Sequence, residues 1–107
     1  MNSNTLKSII SKRARTDDEC FEDVERCWAE LGAALTQDYN ASKVFLLGDA
    51  TEDEIIWSCE VFEEVFENAP ERRYADLMGD AIERLSNQDD RQRLMGILSQ
   101  VAEMYLS

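Results

Sequence analysis

Residues 16–35 read TDDECFEDVERCWAELGAAL, and the spacing inside this stretch decides the fold class. Cys20, Val24, Cys27, Trp28, Leu31 and Leu35 recur largely at steps of three and four, so at about 100° per residue they line one side of a helix. Glu22, Asp23, Glu25, Arg26 and Glu30 turn elsewhere. Thr16 and Glu19 have the spacing of a capping box, in which the hydroxyl accepts from the Glu19 amide and the glutamate reaches back. The pattern predicts a helix from Thr16 to about Leu35.

The same period extends in both directions. Leu6, Ile9 and Ile10 make a short stripe that predicts a helix over residues 4–14. A second capping box, Thr51-Glu52-Asp53-Glu54, opens a helix through about Asn68, with Ile55, Cys59, Phe62 and Phe66 inward. Pro70, tolerated in a first helical turn, precedes the stripe of Tyr74, Leu77, Met78, Ala81, Ile82 and Leu85. Asn87 and Asp90 offer starts for a last helix carrying Leu94, Ile97, Leu98, Val101 and Tyr105. Residues 36–41 are polar and read as a connection. Val44-Phe45-Leu46-Leu47 fixes no period by itself, but Gly48 suits the left-handed position after a helix, and no partner strand is present. The expectation is an all-α fold of five or six helices, either a compact bundle or stacked helical hairpins. Gly79 and Gly96 fall inside helices, where each costs roughly 1 kcal/mol relative to Ala, and close helix packing would account for both.

The length of 107 residues and 44% hydrophobic content suit a single domain over residues 1–107. Its charge is divided. Residues 1–15 hold Lys7, Lys12, Arg13 and Arg15 and no acid, whereas residues 16–107 carry 7 basic and 23 acidic residues. Opposite charges attract across so small a domain, so the basic N-terminal helix is expected to dock on the acidic body. The formal net charge of -12 argues against direct nucleic-acid binding and against anionic membranes, and favours a cationic partner. Three cysteines, Cys20, Cys27 and Cys59, without a secretory signal point to reduced thiols on inward faces and to a cytoplasmic location. No run approaches the ~20 apolar residues of a membrane span.

Catalysis is disfavoured by residue type. The chain has no histidine, which removes the catalytic triad, the usual metal sets and proton transfer near neutral pH. Carboxylate di-metal sites in helical proteins pair glutamate with Glu-x-x-His, and the imidazoles are missing. Asp49, Thr51 and Asp53 loosely follow a calcium loop, but Glu54 stands where the turn needs glycine. The four glycines lie singly, so there is no phosphate loop. No catalytic residue, metal site or cofactor is expected.

A binding surface is the stronger expectation. From Asp49 to Glu67 there are eight acidic residues and no basic one. On an ideal helix, Asp53, Glu60, Glu63, Glu64 and Glu67 share the face opposite Ile55, Cys59, Phe62 and Phe66. Ile56 and Trp57 fall towards that face, and Trp57 would project between Asp53, Glu60 and Glu64 as an aromatic anchor among charges. Asp53, Ile56, Trp57, Glu60, Glu63, Glu64 and Glu67 are therefore the candidate partner-binding residues.

With the segment from Ile56-Trp57-Ser58-Cys59-Glu60 through Asn68-Ala69-Pro70-Glu71, its size and its charge, the chain resembles the small acidic helical immunity proteins that bacteria make against their own toxins. The resemblance implies a cytoplasmic inhibitor that covers the basic active-site cleft of a nuclease-type toxin, its carboxylates standing where substrate phosphates would lie. One alternative is a phage or mobile-element nucleic-acid mimic directed at a host defence complex, which would spread its acids along an extended surface. Another is a structural helical adaptor, which would show a large apolar patch and self-associate.

Overall fold

The computed structural model describes residues 2–106, and every regular element among them is helical. α1 (Ser3–Arg15) is capped by the Asn2 side chain, which accepts from the Thr5 amide, and its last turn carries Lys12, Arg13 and Arg15 at the negative end of the helix dipole. Leu6 and Ile10 enter the core. Three of the four basic residues of α1 meet acids, with Lys7 Nζ 2.6 Å from Glu54, Lys12 Nζ 3.4 Å from Glu30 and Arg13 Nε 2.9 Å from Glu60. The basic segment is thus docked on the acidic body, as its charge predicts.

α2 (Phe21–Gln37) buries Val24, Cys27, Leu31, Ala34 and Leu35 and half-buries Trp28. Its N-cap is Cys20, four residues later than the Thr16 capping box predicts. The Thr16 hydroxyl donates instead to the Lys12 carbonyl at 2.8 Å, closing α1, and the Asp17 carboxylate accepts from the Glu19 amide at 2.9 Å. With both groups engaged in the turn, the box does not form. Cys20 consequently sits at the N-cap and is exposed, contrary to the inward position its spacing suggested.

The polar stretch at 36–41 is mostly helix. Asp38 accepts from the Ala41 amide at 3.1 Å and starts α3 (Tyr39–Val44), which widens into a π turn at Phe45–Asp49. The Ala50 amide closes that turn on the Phe45 carbonyl at 2.8 Å. Phe45 and Leu46 are buried, and Val44 is exposed. Gly48 has no positive φ, so the helix ends by widening, without the left-handed residue expected there.

The second capping box forms in full. Thr51 Oγ1 accepts from the Glu54 amide at 3.2 Å and the Thr51 amide donates to Glu54 Oε1 at 2.9 Å. α4 (Glu52–Ser58) follows, but a 3₁₀ turn at Cys59–Val61 interrupts the single helix expected to Asn68, and α5 (Phe62–Asn68) resumes after it. The tighter turn rotates the chain by about 20° more per residue than an α-helix does. Phe62, Val65 and Phe66 are buried beyond it, Cys59 and Val61 within it, and Ile55 and Ser58 before it.

α6 (Arg72–Ile82) begins after Pro70 and Glu71, so the proline precedes the first turn, and Leu85 is buried past the helix end. α7 (Gln88–Leu106) starts where the Asn87 side chain accepts from the Asp90 amide at 2.9 Å. Leu94, Leu98 and Ala102 are buried, whereas Ile97, expected inward, is 40% exposed because α7 packs on one side only.

Counting α4 and α5 as one bent rod, six helices among the described residues surround one core. Extents of 31 × 28 × 27 Å are nearly equal in three directions, so the architecture is a compact globule and not an elongated stack of hairpins. Of the four glycines the tightest surroundings are at Gly32, where α2 crosses α5: an added Cβ would lie 2.5 Å from Glu64 Cβ. At Gly79 an added Cβ would meet only side chains at 3.8 Å, and at Gly96 nothing within 4 Å. The close packing that the sequence assigned to those two glycines belongs to Gly32. No helix among the described residues is long and apolar enough to cross a membrane.

Candidate functional site

Seven of the eight acids from Asp49 to Glu67 divide into two groups by what each carboxylate touches, with Asp53 in neither. Four members hold the fold. Asp49 accepts from Ser3 Oγ at 2.5 Å, Glu52 from the Ser86 amide at 2.7 Å and its hydroxyl at 2.9 Å, and Glu54 from Lys7 and Thr51. Glu60 is the most engaged of the four. Its two oxygens take Arg13 Nε at 2.9 Å and Nη2 at 3.2 Å, and Trp28 Nε1 donates to it at 3.0 Å.

Arg13 is the centre of this cluster. Its side chain is 6% exposed, it also reaches Asp18 at 3.0 Å, and its guanidinium carbon lies 4.9 Å from the Trp57 ring centroid. Burial opposes its charge, but Glu60 and Asp18 outweigh burial and hold the guanidinium protonated more firmly than usual. Trp57 is therefore half-buried under an internal cation, in place of the outward anchor its helical position suggested. Asp53 and Ile56 lie on α4, before the 3₁₀ turn, and line neither of the recesses described next.

Glu63, Glu64 and Glu67, all on α5, form the second group. They border two adjoining recesses that share Trp28 and Glu64. The first, about 230 Å³, is floored by Trp28, Phe62, Ile97 and Val101 between α2, α5 and α7. The second, about 420 Å³, runs along α2 past Phe21, Glu25 and Trp28 to Glu67. Phe21 is 60% exposed and packs edge-on against Trp28, with ring centroids 6.1 Å apart. The structure thus brings Glu60, Glu63, Glu64 and Glu67 together around an aromatic pair, and the aromatic is Trp28. The sequence placed Trp28 in the core stripe. A second line along α2, Phe21, Glu25 and Trp28 at steps of four and three, is the signal that marks it as an edge residue.

The electrostatics of this face are unbalanced. Among the described residues no lysine or arginine pairs with Glu63, Glu64 or Glu67. Partial burial raises the Glu64 carboxyl above its usual value, and the charges of Glu67, Glu63 and Glu60 add to the shift. Glu67 accepts from the Tyr105 hydroxyl at 3.1 Å, which with the neighbouring glutamates pushes the phenol up. Cys59, beneath the first recess, is pushed up to about 12 by burial, so it is a thiol and not a nucleophile. No group of His, Cys, Asp or Glu among the described residues is arranged to hold a metal ion.

Compared with protein-family models, curated protein sequences and solved structures, the chain finds no match.

Proposed function

We propose that this protein is an acidic protein-binding inhibitor of the immunity type, which docks a basic, nuclease-type toxin on the face formed by α2, α5 and α7 and covers its active site in the cytoplasm of the producing cell. The observation that carries the reading is the set of glutamates at 63, 64 and 67, lacking cationic partners, around the exposed Phe21 and Ile97 and the half-buried Trp28. Each part has a role. The net charge of -12 draws a cationic surface from a distance, and Glu63, Glu64 and Glu67 occupy the positions that substrate phosphates would take on it. Phe21 and Trp28 supply the aromatic area on which binding energy concentrates. An arriving lysine or arginine offsets the burial and the like charges of Glu67, Glu63 and Glu60 that together raise the Glu64 carboxyl.

The test is co-expression with a basic toxin encoded beside the gene. The chain should restore growth and co-elute with the toxin. The triple reversal Glu63→Lys, Glu64→Lys, Glu67→Lys should abolish protection, and the association rate of the native pair should fall steeply with salt. Protection and salt dependence that survive the triple reversal would refute this face as the docking surface. Growth unprotected by the native chain would refute the inhibitor itself.

A further inference from the structure

On another side of α7, roughly 110° round its axis from Ile97 and Val101 at about 100° per residue, α6 and α7 part to leave an open groove. Its volume is about 770 Å³. Ala75 and Gly79 of α6 and Leu98 and Ala102 of α7 form the floor. Asp76, Asp80 and Glu83 run along the α6 side at steps of four and three, and none of the three is ion-paired or hydrogen-bonded through its side chain among the described residues. Arg72, in the first turn of α6, is the one cation of the described lining.

Gly79 has no explanation inside the fold. A glycine in mid-helix costs about 1 kcal/mol relative to alanine. The packing of α6 on α7 does not need it, because an added Cβ would meet Leu98 Cδ2 and Met95 Cε at 3.8 Å, an ordinary contact. Its φ is negative, so the backbone does not need it either. What the glycine does is leave the backbone of α6 bare on the groove floor. A bare floor accepts another helix at close range when that helix brings a small residue to the crossing, and three unpaired carboxylates over two turns match lysines or arginines at the same helical spacing.

We propose that the α6–α7 groove is a second docking site, for a cationic amphipathic helix of a partner protein that places alanine or glycine against Gly79. It is independent of the face formed by α2, α5 and α7. The probe is a synthetic helical peptide with lysines at i, i+4 and i+7 flanking an alanine face, titrated into the full chain and followed by backbone amide shifts. Binding should move Asp76, Gly79, Asp80 and Ser99, persist when Glu63, Glu64 and Glu67 are reversed to lysine, and weaken at least tenfold in Gly79→Leu. A second variant, Asp76→Asn with Asp80→Asn and Glu83→Gln, changes exposed side chains only, and it too should weaken binding at least tenfold. Three results would each overturn the proposal: shifts confined to α2 and α5, affinity unchanged in the triple amide variant, or equal affinity for a proline-interrupted peptide of the same composition or for spermine.

Discussion

Gly32→Ala tests the crossing of α2 and α5 on which the acidic face is built. A Cβ at position 32 would lie 2.5 Å from Glu64 Cβ, 3.4 Å from its carbonyl carbon and 3.5 Å from its Cα. Carbon atoms attract best at about 3.5–4.0 Å, so the first contact is short by about 1 Å, and it involves an atom fixed to the α5 backbone that no rotamer change can move away. The helices must separate. Overpacking of this kind costs about 1–3 kcal/mol, and the gain in helix propensity offsets up to about 1 kcal/mol. A net loss of about 1–2 kcal/mol corresponds to a fall in Tm of roughly 5–15 °C for a domain of this size. Gly96→Ala is the matched control, because nothing lies within 4 Å of its added Cβ. It should gain about 0.5–1 kcal/mol. Thermal and urea unfolding followed by circular dichroism measure both. A Gly32→Ala protein as stable as the native chain, with an unchanged urea slope, would refute the crossing.

Three further outcomes follow from single side chains. Arg13→Met leaves Glu60 with Trp28 as its one remaining partner and should cost about 2–3 kcal/mol in urea unfolding, below the range for a fully enclosed pair because Glu60 keeps 31% of its side chain exposed. Arg13→Lys should recover less than half of that, since an ammonium cannot bond both oxygens in the guanidinium geometry; full recovery would show that charge alone matters. Glu64→Gln should raise Tm at pH 7. The folded Glu64 titrates above its usual 4.5, so its penalty is fully present above the folded value and vanishes below the usual one; the advantage of the amide must shrink as the pH falls through that window, and an advantage that grows there would reverse the assignment. In the folded protein a thiol reagent should modify Cys20 and leave Cys27 and Cys59 until the chain unfolds, so Cys20→Ser should remove all fast labelling.

Much of the helix map is legible in the sequence because stripes such as Val24–Cys27–Leu31–Leu35 and Tyr74–Leu77–Met78–Ala81 obey a single period. The misreadings have physical causes. Thr16 fits the end of one helix as well as the start of the next, and the Lys12 carbonyl wins its hydroxyl. The 3₁₀ turn at Cys59–Val61 is hidden because apolar residues stand at both possible phases, Cys59 and Phe62 for one and Val61 and Val65 for the other. Within the candidate site, the local pattern finds Glu63, Glu64 and Glu67 but cannot tell them from Glu60. That difference is made by Arg13, which approaches from 47 residues earlier. The same arginine covers a face of Trp57, and it is Trp28 that lines the recesses.

The docking of α1 has a consequence for how the chain comes to be folded. Lys7 and Arg13 bond to carboxylates that follow each of them by 47 residues. At a synthesis rate of ~5–20 residues per second, those partners emerge roughly 2–9 s after the helix that needs them. A helix of 13 residues is marginal alone in water, so over those seconds Leu6 and Ile10 have no settled cover. Four like charges and no acid keep nascent copies of this segment apart while it waits. The basicity of this segment thus bears on two stages, repulsion between unfinished chains and then, once residue 60 has arrived, the ion pairs that close the globule.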